Sequence, residues 1–130
     1  MFKKFVQITA LLNFPIALVM MFPAINAPEP DTFVITVVLG AFMIFTGVAL
    51  LWAVSDIRNR APVVVWGGLV RYAGFVAVAY AGLLGFAPKI FVAIAAMDLV
   101  TATIYIFGSI NVSGLSFWSL MLGRSRTEEQ

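Results

Sequence analysis

The sequence predicts an all-α integral membrane protein: a four-transmembrane-helix bundle with both termini cytoplasmic and a short interfacial C-terminal segment. Three observations predict it. Of the 130 residues, 62% are hydrophobic and only 11% charged, against roughly 25% charged in a soluble domain. A domain this small leaves much of its chain at its surface, so a soluble fold has nowhere to hide so many apolar side chains. The apolar residues also gather into four runs, each with about the 20 residues that a helix needs to cross the hydrocarbon core. Finally, six of the eight basic residues flank apolar runs. The whole chain, 1–130, reads as one membrane domain with no room for a separate soluble one.

The first run covers 5–22, between Lys3-Lys4 and a loop at 23–32. A basic start, an apolar stretch and Ala27 also fit a secretory signal. The stretch is longer than a signal core, however, and Pro28 follows the candidate cleavage residue, so the run is expected to be retained as a span. The second run, 33–55, is closed by the polar sequence Asp56-Ile57-Arg58-Asn59-Arg60. The third, 63–86, starts after Pro62, and the fourth covers 90–109. Between them stands only the turn Ala87-Pro88-Lys89, which requires an antiparallel hairpin. No run alternates in polarity over about ten residues, as a strand of a membrane barrel would.

Past residue 109 the pattern changes. Asn111, Ser113, Gly114 and Ser116 break the apolar run ahead of a short apolar stretch ending at Gly123. The segment 112–123 is too short to span, and a fifth crossing would carry Arg124 and Arg126 to the wrong side. It is expected to lie in the interface, with Trp118 at headgroup level, ahead of a tail at 124–130. Orientation follows from the positive-inside rule. Lys3, Lys4, Arg58, Arg60, Arg124 and Arg126 fall on one side, while Lys89 with Glu29 and Asp31 falls on the other. The first side is therefore cytoplasmic, and the plasma membrane of a bacterium is the expected location.

The chain contains no cysteine and no histidine. Disulfides, thiolate nucleophiles, Cys/His zinc sites and His- or Cys-ligated haem are thereby excluded, and so is the side chain most used for acid–base catalysis near neutral pH. No catalytic residue, metal site or cofactor is predicted, and the chain is not expected to be an enzyme. Nucleic acid is not an expected partner either, because the net charge is only +2 and six of the eight basic residues flank apolar runs.

Lipid tails give helices no hydrophobic reason to associate, so small residues that admit close backbones mark the contacts. In the third run Gly67, Arg71, Gly74, Ala77, Ala81 and Gly85 form one stripe. The fourth offers Ala95, Asp98, Ala102, Tyr105 and Gly108, the second Thr36, Gly40 and Gly47, and the first Ala10, Asn13 and Ala17 beside Pro15. These stripes read first as packing seams, which any helix bundle needs. They also bring a polar group from every span, Asn13, Thr36, Arg71, Asp98 and Tyr105, toward a common interior.

Arg71 and Asp98 are the two charges inside spans, and charge at that depth marks function unless it faces protein or water. Folding the hairpin about Ala87-Pro88 sets Arg71 level with Tyr105, and Asp98 about 9 Å away in depth. Helical side chains lean toward their own N-terminus, so on antiparallel helices these two lean apart. The expectation is therefore that Arg71 snorkels toward the cytoplasmic surface beside Tyr105. Asp98 would then find Asn13, a hydroxyl or a proton of its own. A second constellation, Asp56, Arg58, Arg60 and Trp66 at the cytoplasmic turn, reads first as topology signal with an aromatic belt, and it also suits an anionic lipid headgroup or another phosphate.

Small size, short loops and few chemical groups point to an accessory or interaction subunit, either a homo-oligomer or part of a larger membrane complex within the lipid bilayer. The alternative is a proton- or cation-coupled carrier or channel that uses Asp98.

Overall fold

In the computed structural model, which describes residues 1–125, the chain is all-helical. The helices are α1 Phe2–Asn26, α2 Phe33–Ser55, α3 Ala61–Leu83, α4 Lys89–Ser113 and the short α5 Phe117–Met121. The first four are long and apolar enough to cross a membrane. Their surfaces fit that medium: Val19, Ile35, Phe45, Met97 and Phe107 are among many large apolar side chains that point outward, a distribution that lipid accepts and water does not. Residues 126–130, with Arg126 and most of the expected tail, lie outside the described residues.

The helix ends depart from the sequence expectation where local chemistry allows. α1 runs through both Pro15 and Pro23, as membrane helices tolerate. α3 begins at Ala61, ahead of Pro62, because a proline in the first turn withholds an N–H that has no helical acceptor. It ends at Leu83, short of 86. Gly85, at φ 74°, reverses the chain, and the N–H groups of Phe86 and Ala87 return to Ala81 O at 2.8 and 3.3 Å. That closure satisfies carbonyls the helix would otherwise leave open. α4 passes 109 and stops at Ser113, where Gly114 takes the left-handed conformation at φ 74° and its N–H reaches Ile110 O at 2.9 Å.

The chain divides into two compact units, Met1–Ser55 and a second that begins at Asp56. The first is the α1–α2 hairpin. A Cβ added at Gly47 would lie 3.1 Å from Ala10 O, and one at Gly40 would lie 3.6 Å from Ala17 O. Moving seven residues up one helix and seven down the other keeps the contact, as two antiparallel helices in close register require. Val6, Ala10, Asn13 and Ala17, at spacings of four, three and four, form the buried face of α1. α2 buries Gly40, Gly47 and Leu50.

In the second unit α3 and α4 form the predicted hairpin. Gly68 packs on α4, where an added Cβ would sit 3.1 Å from Ala102 O and 3.4 Å from Tyr105 Cβ. At the turn end, Gly82 faces Val92. The contact face of α3 therefore holds Gly68 and Gly82, and it corrects the expected stripe in part. Gly67 is buried and Arg71 reaches α4 as expected. Gly74 and Ala77 are exposed, and nothing lies within 4 Å of a Cβ built at Gly74. The glycine pair Gly67-Gly68 supports either seam, and Gly68 is the member seated on α4. On α4 the expected Ala95, Ala102 and Tyr105 are buried, and the seam continues through Ser109 and Ser113.

The expected interfacial segment, 112–123, has a packing role within the unit. It is shared between the end of α4, a turn and α5, and it docks on its own hairpin. Leu115 and Leu120 form a buried cluster with Ala61 and Val65, with Leu69, Ile106, Ile110 and Phe117 against it. Ser116 caps α5 by accepting from Ser119 N–H at 3.2 Å.

Candidate functional site

The hairpin register brings three of the intramembrane candidates together. Arg71 Nη1 donates to Asp98 Oδ1, forming a salt bridge between α3 and α4. This overturns the expectation that the two lean apart. The lean of the Cα–Cβ bonds is real, but an arginine side chain is long enough to turn back along its helix. A less favoured rotamer costs on the order of 1 kcal/mol, whereas a charge left unpaired in an apolar medium costs several. Pairing therefore wins over side-chain direction. The partners proposed for Asp98, Asn13 or a hydroxyl, give way to the guanidinium.

Tyr105, fully buried, completes the group. The guanidinium carbon of Arg71 stands 5.8 Å from the centre of its ring, within cation–π range. Arg71 is thus held by a carboxylate and an aromatic face, and only 18% of its side chain is exposed. Asp98 differs, with 43% of its side chain exposed. Among the described residues, Oδ1 takes the arginine and Oδ2 accepts no hydrogen bond. The site therefore presents a hydrogen-bond acceptor with negative charge on the outer edge of the hairpin, backed by a positive charge further in.

A second interhelical bond accompanies it, one that sequence reasoning missed. The Tyr72 hydroxyl lies 2.7 Å from Thr103 Oγ1. Thr103 spends its own hydrogen on Leu99 O at 2.8 Å, which leaves Tyr72 as the donor. Folding the sequence about Ala87-Pro88 sets these two residues opposite one another, so the register already contained the pair.

Asn13 and Thr36 belong to the first hairpin, Asn13 buried on α1 and Thr36 half-buried on α2. Of the turn residues, Asp56 Oδ2 accepts from Asn59 Nδ2 at 2.9 Å, and Asp56 O accepts from Arg60 N at 2.9 Å. The acid is thus engaged in closing the turn. Arg58 is exposed and Arg60 half-exposed. Trp66 exposes its ring but donates its indole N–H to Met121 O at 3.1 Å, tying α5 to α3. That tie was not legible in the sequence, because it joins residues 55 apart through a backbone acceptor.

No family model, curated protein or solved structure matches the chain.

Proposed function

We propose that this chain is a small multi-pass membrane protein that works by docking transmembrane helices, as an accessory subunit or as an oligomer of itself. The observation that carries the reading is Asp98, which keeps one carboxylate oxygen without a hydrogen bond among the described residues, at the exposed edge of a helix built to lie in lipid. Hydrocarbon offers that oxygen nothing, so a partner helix that brings a donor to the same depth gains a strong contact. The exposed Gly74 and Ala77 leave the adjoining surface of α3 free of bulk for a close approach.

In this reading both termini are cytoplasmic, in the plasma membrane of a bacterium. The turn with Arg58 and Arg60 then lies at the phosphate level of the inner leaflet. The test is photocrosslinking in native membranes from Met97 or Thr101, which neighbour Asp98. A discrete protein adduct that Asp98→Ala abolishes is expected. Adducts to lipid alone would overturn the reading.

A carrier coupled to protons or cations draws on the same open carboxylate. Against it stands Arg71, which already supplies the counter-charge that an incoming cation would have to displace. Cation-driven flux in liposomes that Asp98→Asn abolishes would favour the carrier instead.

A further inference from the structure

We propose that the docked α5 and the turn at 56–60 together form a seat for the headgroup of an anionic phospholipid. The seat is built at one end of the second unit. Ala61, directly after Arg60, packs with Leu115 and Leu120, so α5 is fixed beside the turn that carries Arg58 and Arg60. Trp66 adds a tether to Met121 O, and Arg124 follows three residues later, exposed. The arginines of the turn and Arg124 thus come from chain segments far apart in sequence and are brought to the same end by the buried cluster beneath them.

Charge and surface both favour a lipid. The turn carries two guanidinium groups, Arg58 and Arg60, against the single carboxylate of Asp56, which accepts from Asn59, and Arg124 adds a third cation, so this end is net positive. The exposed rings of Trp66 and Trp118 and the exposed Leu122 provide an apolar body around those charges. Cationic groups over aromatic and apolar surface match a phosphate diester above its acyl chains, and guanidinium is the cation best shaped for phosphate. A free phosphate would use the arginines and leave the apolar rim idle. The occupant is therefore the lipid.

The inference rests on the reading that this end lies at the membrane surface, and the two are separable. The experiment uses the full chain in nanodiscs of phosphatidylcholine with a minor fraction of phosphatidylglycerol, followed by native mass spectrometry of the lipid that remains bound. Phosphatidylglycerol is expected to be retained preferentially. Arg58→Gln with Arg124→Gln should weaken that preference by on the order of twentyfold, about fivefold for each charge. Leu120→Ala, which leaves every arginine in place, should weaken it as well, since the seat depends on docked α5. Lys3→Gln with Lys4→Gln should leave it unchanged.

An equal loss from the lysine variant, or no loss from the arginine variant, would overturn the seat in favour of general charge attraction. Displacement by soluble glycerol phosphate would overturn the assignment to a lipid. Quenching of Trp66 and Trp118 by brominated lipids, in a Trp52→Phe background, reports surface location independently. Quenching without headgroup preference sinks the seat alone, whereas no quenching sinks the location.

Discussion

The guanidinium carbon of Arg71 stands 5.8 Å from the centre of the Tyr105 ring, and the same guanidinium holds Asp98. Within this hairpin one arginine therefore binds two features of α4, a carboxylate and a ring seven residues further on, about two helical turns apart. That bracing explains how a charge is accommodated in a helix that is otherwise apolar, and it makes the carboxylate the exposed member of the pair.

Removing one partner should cost more than removing both. Arg71→Leu or Asp98→Leu alone leaves a charge without its counterpart, and each is expected to destabilise the protein in detergent by about 2–3 kcal/mol. That is below the range for fully buried pairs because Asp98 is partly exposed. The double variant should cost less than the sum of the two. Additive losses in an unfolding titration would show that the residues do not act as a pair.

Two glycines of α3, Gly68 and Gly74, should respond in opposite ways. At Gly68 a side chain meets Ala102 O at 3.1 Å and Ile106 Cγ1 at 3.2 Å, so Gly68→Val forces the hairpin apart and costs about 1–3 kcal/mol. At Gly74 nothing is in the way. Gly74→Ala is expected to be neutral or to stabilise the isolated chain by up to about 1 kcal/mol through helix propensity. Thermal unfolding of the two variants checks the seam directly. If the exposed surface receives a partner helix, Gly74→Leu should weaken association without loss of monomer stability.

Tyr72→Phe and Thr103→Val should each cost roughly 0.6 kcal/mol, the average for a hydrogen bond between membrane helices, and no more when combined. The bond joins α3 to α4 at 2.7 Å. A double-mutant cycle with no coupling energy would remove it from the account.

Gly114→Ala should release α5 while sparing the hairpin. The left-handed φ of 74° at Gly114 is strained for any residue with a Cβ, by about 1–2 kcal/mol. Amide exchange at Leu120, whose N–H bonds to Ser116 O at 3.1 Å, should accelerate, while exchange around Tyr105 stays slow. Equal acceleration at both positions would mean that α5 and the hairpin melt as one unit.

The helices were legible because lipid imposes a simple demand: about twenty apolar residues per crossing. The range of α2 follows from that alone, since Phe33 comes after Pro-Asp-Thr and Ser55 precedes a charged turn. The seams of α1 and α4 followed from small residues at helical spacing, Ala10 and Ala17 on one and Ala95 and Ala102 on the other. On α3 the same reasoning held for Gly67, which is buried, and for Arg71, which reaches α4, and failed for Gly74 and Ala77, which are exposed. Gly67 and Gly68 offered two faces about 100° apart, and the choice fell to Ala102, which lies across from Gly68. The Arg71–Asp98 pair was missed for an energetic reason, since side-chain direction is a weak preference against the attraction of two opposite charges among apolar helices. The docking of α5 was hidden because Leu115 and Leu120 look alike whether they face lipid or protein.

The most direct test of the account is the distance between Arg71 and Asp98 in a bilayer, measured by solid-state NMR with nitrogen-labelled arginine and carbon-labelled aspartate. Arg71→Lys and Asp98→Asn serve to assign the signal. The account predicts strong dephasing of the Asp98 carboxyl carbon by the Arg71 guanidinium nitrogens, which disappears in either variant. A carboxyl carbon that shows no guanidinium contact, with the Arg71 nitrogens instead close to lipid phosphorus, would contradict it.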